Sequence, residues 1–516
     1  MSKRIEKIVI VGGGTAGWMS AAFLNKVLGN ATNRKISITV VESDDVGIIG
    51  VGEATIPGFR RMMRIIDIPE WRLFRDADAS FKNAIKFNDW VHIPEPGQSS
   101  HYYHQFDPPL AADGYDAMTH WLALKDAGVD VPSLADAVSI SAALSDAGHS
   151  PKTPDSEDYH SPLPYAYHVD TVKLGRLLRE IAMERGVERF IDHVVKVNRT
   201  EDGDITSIDT RDGRKLEADL FIDCTGFRAV LIEGAMGEPF IDYTDRLFCD
   251  RAIAGQIDFA PGALPRPYTV ASAKSAGWIW EIDLYHRTGM GYVYSSKFID
   301  DDAAEAEMRA HIHPAIRDQL EPRRIQMRIG RRNKLWVNNC VAIGLSGGFI
   351  EPIESTGIHL CELGLIHLVD YIAEGSAREP LQRKYNALMR DVYDEIVNFI
   401  QLHYVFNKRH GQPFWDAYRD PAVRTPALAE QLEIWAHRMP TLTDLKSRIN
   451  IFDFWNFFAV MGGVGALPAS GNNISPFLNL KTSEGLMGHL AATRAQAVRA
   501  TIPHVDILRK MRVPPT

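Results

Sequence analysis

A glycine-rich turn between a short strand and a helix near the N-terminus constrains the fold more than any other sequence feature. Lys7–Val11 is a β-branched run that stops at Gly12, and residues 15–28 beyond the turn have helical composition. A second buried strand at residues 36–41 is closed by Glu42. Strand, glycine turn, helix, strand and acid in this order form the βαβ layout of a dinucleotide site.

The glycines at this turn have separate physical tasks. In Gly12-x-Gly14-x-x-Gly17 the first permits the tight turn, the second lets the backbone approach a pyrophosphate, and the third allows close packing of helix on strand. The helix N-terminus faces the anion, and Glu42 is placed to accept hydrogen bonds from ribose hydroxyls. The predicted contacts in this segment are Gly12, Gly14, Thr15, Ala16, Gly17 and Glu42.

Two later apolar strands favour FAD over NAD. Residues 220–226 and 339–344 each form an apolar strand that runs into a glycine-containing turn. Flavoenzymes of the glutathione-reductase type bring such late strands back beside the first βαβ unit, whereas an NAD dehydrogenase more often completes its nucleotide domain in one block. The predicted fold class is therefore α/β, a glutathione-reductase-like FAD-binding fold. Cys224 has no second cysteine nearby and is interpreted as a packing residue.

The remaining sequence suggests a division into two modules. Residues 76–164 are rich in Pro, Gly, His and Tyr and are interpreted as long loops over a site, and the region after Ile358 is mainly helical. The turns Asp202-Gly203 and Asp212-Gly213 indicate hairpins. We expect an FAD-binding module at 1–75 and 160–365, and an added, mainly helical substrate-binding region at 76–159 and 366–516.

Composition excludes several classes of partner. The 57 Lys and Arg against 66 Asp and Glu give a net charge of −9, which argues against a broad grip on nucleic acid or anionic lipid. The four cysteines form no CxxC pair, no apolar run is long enough to cross a membrane, and the N-terminus has no cleavage site. We expect a cytoplasmic protein without nucleic-acid or membrane partners and without a metal site.

Six separate motifs resemble those of the flavin-dependent tryptophan halogenases, in the same order along the chain. They are Gly12-Gly-Gly-Thr-Ala-Gly-Trp18, Gly50-Val-Gly-Glu-Ala-Thr-Ile-Pro57, Phe81-Lys82 with Lys86-Phe87-x-x-Trp90, Tyr103-His104-x-Phe106, Gly277-Trp-Ile-Trp-Glu-Ile282, and Phe349-x-Glu-Pro-x-Glu-Ser-Thr-Gly357. The resemblance covers the chain to about residue 360 and fades after it.

The resemblance implies an FADH2- and O2-dependent halogenase in which Lys82 is catalytic. In the family a flavin C4a-hydroperoxide is attacked by chloride or bromide, and the hypohalous acid released travels to a lysine beside the aromatic substrate. Free hypohalous acid would oxidise side chains indiscriminately, so a buried ammonium or amine must hold it. By itself, a lysine between Phe81 and Asn83 would be a solvated surface charge.

The resemblance also assigns a second catalytic residue and the halide site. Glu354 corresponds to the carboxylate that stabilises the cationic arene intermediate or accepts its proton, and Glu351 is interpreted as structural. The halide is expected at Thr356 and Gly357, where a helix begins. Further cofactor contacts are expected at Gly52, Glu53, Ala54, Gly344 and Ile358.

Two tryptophans and a set of aromatics complete the predicted site. Trp278 and Trp280 lie two apart in a predicted strand, and in the family they keep substrate away from the flavin. Asp283 stands where the family motif has Pro, and we interpret this difference as drift. The predicted substrate contacts are His104, Phe106, Phe454 and Trp455, with Phe452 as a further candidate.

The substrate is predicted to be indole or another electron-rich arene. Family members that bind free tryptophan carry a tyrosine pair and a glutamate that clamp the amino-acid head group, and we find no such segment between Gly411 and Phe452. A separate flavin reductase would supply FADH2, since no second nucleotide motif is visible. A homodimer is compatible with the sequence.

Two alternative functions remain open at this stage. One is an FAD-dependent aromatic hydroxylase of the same fold, and the other is a catalytically inactive FAD-binding protein. Lys82 together with Glu354 argues against the inactive protein, and these residues with the two tryptophans argue against the hydroxylase.

Overall fold

The computed structural model describes residues 4–29, 36–45, 52–153, 155–372, 378–445, 451–468 and 474–514. Among these residues the strands, in chain order, are β1 Lys7–Val11, β2 Ser37–Glu42, β3 Glu53–Ala54, β4 Ser80–Lys82, β5 Ala84–Asn88, β6 His101–Gln105, β7 Ala111–Ala112, β8 Tyr115–Asp116, β9 Ala166–Val169, β10 Glu188–Ile191, β11 Val194–Arg199, β12 Ile205–Thr210, β13 Lys215–Glu217, β14 Leu220–Asp223, β15 Phe240–Asp242, β16 Arg251–Ile257, β17 Thr269–Lys274, β18 Gly277–Asp283, β19 Thr288–Tyr294, β20 Arg323–Gln326, β21 Gly330–Arg332, β22 Trp336–Val337, β23 Cys340–Ala342 and β24 Gly348–Phe349.

The α-helices of the same residues, in chain order, are α1 Thr15–Leu28, α2 Gly58–Ile66, α3 Glu70–Asp76, α4 Ala117–Asp126, α5 Leu134–Val138, α6 Ile140–Asp146, α7 Thr171–Glu184, α8 Asp301–His311, α9 Gly357–Tyr371, α10 Arg378–Val405, α11 Pro413–Tyr418, α12 Pro426–Trp435, α13 Phe454–Gly463, α14 Leu480–Ala500 and α15 His504–Met511. None of the helices in the described part of the chain has the length and apolar character that crossing a membrane requires.

A six-stranded sheet in the order β10-β2-β1-β14-β23-β22 carries the glycine turn. The first five strands are mutually parallel, and β22 joins β23 as an antiparallel edge. The late strands β14 and β23 lie beside β1 as predicted, with Val9 opposite Phe221 and Ile222 opposite Val341. This arrangement confirms the α/β class and a Rossmann-type sheet.

Burial on both faces explains why these strands are continuous apolar runs. Val9, Val11 and Phe221 are buried in one core cluster with Ile205 and Ile208 of β12. Helix α1 packs against α7, α2 and α9. The β12 strand belongs to the predicted hairpin, in which β11, β12 and β13 form an antiparallel sheet with both turn glycines at positive φ.

The chain divides into two compact units. The first contains Met1–Ala79, Val169–Tyr243 and Met327–Tyr393, and the second contains Ser80–His168, Thr244–Gln326 and Asp394–Thr516. Residues 244–326, which the sequence grouped with the predicted FAD module, fall in the second unit. The reason is that β17 pairs in parallel with β5 in a seven-stranded sheet ordered β20-β16-β19-β18-β17-β5-β6.

The expectation of long loops over 76–164 is wrong. Strands β4 to β8 and helices α4 to α6 occupy much of this segment. Strands β5 and β6 are largely buried, so their aromatic and polar side chains lack the alternation that identifies a half-exposed strand. The expectation for the C-terminal region is met, since every regular element described after Phe349 is helical.

Candidate active site

The glycine turn of the first unit has the close contacts that a dinucleotide turn requires. Gly12 has φ +111°, and a Cβ there would lie 2.2 Å from the carbonyl oxygen of Cys224. A Cβ on Gly17 would lie 1.8 Å from the Gly12 oxygen, so α1 begins directly against the turn. Beside Gly14 the described residues leave open space. Side chains at Gly12 and Gly17 would therefore close this turn, whereas Gly14 faces room for a ligand.

Glu42 is held against the same turn by hydrogen bonds. The indole nitrogen of Trp18 donates to Glu42 Oε2 over 3.1 Å, and the Arg189 guanidinium donates to Oε1. A Cβ on Gly13 would overlap Oε2 at 1.5 Å. The carboxylate therefore lies at the glycine turn, as a group that binds ribose hydroxyls must.

The carboxyl group of Glu53, a half-buried residue, lies beside the start of α9 in the first unit. A Cβ on Gly357 would be 2.9 Å from Glu53 Oε1. Burial raises the pKa of Glu53 to about 7, because desolvation penalises its charged form. The Thr356 hydroxyl is buried and has no hydrogen-bond partner among the described residues. Ser355 just before it has φ +59°, which turns the chain into the helix.

The other predicted cofactor contacts of the first unit lie in tight turns or are buried. Gly344 has φ +78°, and a Cβ there would be 2.8 Å from the Ala16 methyl group. Gly52 has φ +89°, and the side chains of Ala54 and Ile358 are buried. Gly50 and Val51 of the same motif lie outside the described residues. The glycine turn with its acid, together with the orphaned Thr356 hydroxyl, fits an FAD that is bound along these segments.

The two acidic candidates lie on one short turn. Glu351 precedes the 3₁₀-helix Pro352–Glu354, and both glutamate side chains are buried. Burial of carboxyl groups at a turn indicates a specified polar environment and not a solvated loop.

Lys82 ends strand β4 and is completely buried in the second unit. Its ammonium lies 5.3 Å from the centroid of the Phe106 ring, within cation–π distance. Buried lysines are rare, because removing an ammonium group from water is costly. The surface interpretation of this lysine is therefore wrong.

An aromatic cluster of the second unit lies around His104. Its Nε2 is 2.8 Å from Asn456 Oδ1, and its ring lies 5.3 Å from that of Phe399. Phe452 stacks on Phe399 with centroids 3.8 Å apart and lies 6.3 Å from His104. This cluster therefore contains His104, Phe399 and Phe452.

Phe454 and Trp455, which the sequence predicted as substrate contacts, begin α13 and are half-buried. Neither makes a ring contact with another aromatic among the described residues. Phe452, the alternative candidate, is the one of the three that approaches His104.

Trp278 and Trp280 share one face of β18, as their spacing predicts. Their ring centroids are 6.4 Å apart, and both are buried. Neighbouring strands place Ala271 and Gly291 opposite Trp280, and Ala273 and Val293 opposite Trp278. The Trp278 N–H has no acceptor in the described part of the chain.

Comparison with known proteins gives the family. The tryptophan halogenase family model matches residues 7–477. The tryptophan 6-halogenase SttH of Streptomyces toxytricini is 35% identical over 95% of both chains. The chain belongs to the tryptophan halogenase family. The tryptophan 7-halogenase RebH of Lentzea aerocolonigenes is 35% identical over 91% of both, and the structure of Tar14, a flavin-dependent tryptophan C-6 halogenase of taromycin biosynthesis, matches with a TM-score of 0.91 at 34% identity, covering 98% of this chain and 100% of that one.

The protein is therefore a flavin-dependent halogenase, as the motifs predicted. The expected fading of the family resemblance after residue 360 is wrong, because the match continues to residue 477. A packed helix requires only apolar residues at a regular spacing, and many different sequences satisfy that requirement. Motifs are therefore harder to recognise in the helical region after residue 360 than at the glycine turns.

One residue at the end of the halogenase motif has a structural role that the sequence did not reveal. Asp283, interpreted as drift, is buried and accepts hydrogen bonds from the Arg266 backbone and guanidinium, and from Thr288. Arg266 lies 17 residues away in sequence, so no local pattern reveals the pair.

Proposed function

We propose that this halogenase transfers chlorine or bromine to indole or another electron-rich arene, through hypohalous acid held by Lys82. The observation that carries the proposal is the complete burial of Lys82 beside Phe106. A lysine ammonium in such surroundings can hydrogen-bond hypohalous acid, and a neutral amine there can form an N-haloamine. Either species presents an electrophilic halogen to a ring that is held nearby.

The first unit supplies the residues that would hold the cofactor and the halide. FAD would lie along Gly12, Gly14, Thr15, Ala16 and Gly17, with Glu42 at its ribose, and along Gly52, Glu53, Ala54, Gly344 and Ile358. When bound and reduced, it would supply two electrons to O2, while the halide would supply the other two as it is oxidised to hypohalous acid, with water as the second product. Thr356 and Gly357 would bind the halide, with the hydroxyl and backbone N–H groups as donors. A separate flavin reductase would provide the reduced cofactor.

Glu354 is assigned to the arene chemistry. Addition of halogen to an aromatic ring produces a cation that loses a proton. A buried carboxylate can stabilise that cation or accept the proton. Glu351, on the same turn, is assigned a structural role.

The aromatic side chains among the predicted substrate contacts favour an apolar substrate. His104 and Phe106 would stack on the ring, and offset stacking contributes about 0.5–1.5 kcal/mol beyond area burial. The third aromatic is Phe452, Phe454 or Trp455, and the contact of Phe452 with His104 favours Phe452. An amino-acid head group requires charge-assisted partners, and these aromatics provide none. Indole is therefore expected to be a better substrate than free tryptophan.

Trp278 and Trp280 are assigned to keeping the arene from the flavin. This role favours halogenation over the hydroxylase alternative, in which substrate must reach the cofactor. We also propose that the protein acts in the cytoplasm. A homodimer is compatible with this function.

The test supplies purified protein with FADH2 from a flavin reductase, O2, bromide or chloride, and a panel that contains indole and L-tryptophan. Halogen isotope patterns in the products are measured by mass spectrometry. We expect halogenated indole in excess of halogenated tryptophan. Equal or greater incorporation into tryptophan overturns the substrate assignment, and hydroxylated product supports the hydroxylase.

Lys82→Met tests the lysine. We expect loss of halogenated product while FADH2 oxidation continues. Lys86→Met is the matched control, because Lys86 also lies over aromatic rings, 5.1 Å from the Tyr103 centroid, in the adjacent strand β5. Normal halogenation by Lys82→Met overturns the role of Lys82.

A further inference from the structure

The imidazole of His504, the first residue of α15, is buried and hydrogen-bonded at both nitrogens in the second unit. Its Nε2 accepts from the Phe81 backbone N–H over 3.1 Å. Its Nδ1 lies 2.9 Å from the Pro265 carbonyl oxygen. Since an amide can only donate and a carbonyl can only accept, the ring is the neutral tautomer with its proton on Nδ1.

The His504 ring lies along one edge of β4, the strand that carries Lys82. Among the described strands, β4 lies at the end of its sheet and pairs with β9 on one side. Along the open side, the Asn83 N–H donates directly to the Pro267 oxygen over 2.7 Å. The N–H groups of residues 81 and 83 point to the same side of an extended strand. The Pro267 oxygen thus accepts directly from the Asn83 N–H, whereas the His504 ring bridges the Phe81 N–H to the Pro265 oxygen.

These two hydrogen bonds bracket Lys82. One fixes the peptide group on the N-terminal side of Phe81, and the other fixes the peptide group that follows Lys82. A strand of three residues has little pairing of its own to fix its position. The orientation of the Lys82 Cα–Cβ bond therefore depends on the groups that hold its two neighbours.

The segment that contains His504 is itself anchored in the second unit. The His504 N–H donates to the Gly148 oxygen over 2.9 Å, and the Ser150 N–H donates to the Ile502 oxygen over 3.1 Å. The Asn83 side chain donates to the His149 oxygen over 3.1 Å. Residues 148–150 thus join the beginning of α15 to the end of β4.

We propose that His504 is a positioning residue for Lys82, which it orients by bridging Phe81 and Pro265. The inference rests on the proposed function of Lys82. His504 lies beyond residue 477, where the family match ends. A displacement of about 1 Å in a reacting group can reduce a rate about a hundredfold, so a small movement of β4 would release hypohalous acid instead of transferring it.

The test compares His504→Phe with His120→Phe. His120 is equally buried in the second unit and also bonds through both ring nitrogens, at 2.9 Å to Ser483 Oγ and at 2.9 Å to the Ala112 oxygen. Each variant keeps a ring and loses two hydrogen bonds, so both remove similar structural support. Halogenated indole per FADH2 oxidised is measured, together with free hypobromous acid trapped by phenol red and with the unfolding midpoint.

We expect His504→Phe to lower product per FADH2 at least about tenfold and to raise the trapped hypobromous acid, while FADH2 oxidation is unchanged. For His120→Phe, halogenated indole per FADH2 oxidised and trapped hypobromous acid per FADH2 oxidised should both stay within about twofold of the values for the unsubstituted enzyme. Equal ratios in the two variants overturn the inference. If His504→Phe yields no folded protein, His504→Asn replaces it, since its shorter amide cannot span both partners, and an unchanged ratio is again the contradicting result.

Lys82→Met separates this inference from the function on which it rests. If Lys82→Met halogenates normally, the assignment of Lys82 fails, and the role of His504 fails with it. If Lys82→Met is inactive and His504→Phe matches His120→Phe, only the positioning role is overturned.

Discussion

The ammonium group of Lys82 lies 5.3 Å from the centroid of the Phe106 ring, and both side chains are buried in the second unit. The face of an aromatic ring carries partial negative charge, so it stabilises a cation that has lost its water. The ring thus compensates part of the cost of burying the lysine and also limits where its nitrogen can lie.

Phe106→Leu should lower kcat/KM for indole about tenfold. Leucine keeps the apolar volume but removes the ring face, and a desolvated cation–π contact contributes about 1–2 kcal/mol. Phe87→Leu is the control, since Phe87 stacks on Tyr102 and His403 in the same unit. Similar losses of kcat/KM in both variants would contradict a specific role for Phe106.

The KM for bromide should rise about tenfold between about pH 6 and 8.5. Glu53, beside Gly357, has a pKa of about 7. It is neutral below that pH and an anion above it, when it repels a halide at the proposed site. KM is measured against pH in the enzyme and in Glu53→Gln, which should remove the rise.

Glu362→Gln is the control for this pH dependence. Glu362, on α9, is a buried carboxyl group whose pKa is also raised by burial. We expect the variant to retain the rise in bromide KM. A rise that persists in Glu53→Gln would contradict the assignment of Glu53.

Acid should destabilise the protein partly through its buried histidines. Burial lowers the pKa of His504 to about 4. The pKa of His168 is lowered well below 6.5, mainly by burial and to a smaller extent by the charge of Lys82. Between about pH 6.5 and 4 the unfolded chain therefore binds more protons than the folded one, and stability falls as pH falls. His504 accounts for about 3 kcal/mol across this window.

His504→Gln should weaken that pH dependence, although it lowers stability at neutral pH. Urea unfolding at about pH 7, 5.5 and 4.5 measures the slope. His160→Gln, which replaces an exposed histidine, should leave the slope unchanged. Equal slopes in the two variants would contradict the prediction.

Gly291→Ala should lower the free energy of unfolding by about 1–3 kcal/mol. A Cβ there would lie 1.9 Å from the Trp280 ring, so the indole or the strand must move. Gly485→Ala in α14 is the control, because its Cβ meets open space and alanine favours a helix by up to about 1 kcal/mol. Urea unfolding compares the two, and unchanged stability of Gly291→Ala would show that Trp280 is free to shift.

Local signals were sufficient to predict the central strands of the six-stranded sheet, but not the bounds of the first unit. The apolar runs that form β1, β14 and β23 are each followed by a glycine-containing turn, and each lies in the predicted sheet. The second unit was harder to predict, because β5 and β6 are largely buried and have mixed polar and aromatic composition.

The candidate site shows the same limit. A motif singled out Lys82, but its burial depends on Phe106 and on strands distant in sequence. Asp283 and His504 gain their partners only through long-range contacts with residues 265–266 and 81. No periodicity or turn signal encodes such pairs, and comparison of one short segment with a motif does not reveal them.

Each compact unit is assembled from three separated stretches of chain, and the strand that carries Lys82 is bonded to a residue near the end of the sequence. During synthesis, a ribosome must pass position 504 before the last hydrogen bond beside this lysine can form. Chains that stop earlier would already contain the glycine turn at residues 12–17, but they would lack the His504 hydrogen bond beside Lys82. His504 lies 423 positions after Phe81, so the two hydrogen bonds that bracket Lys82 cannot both form until that length of chain has been made.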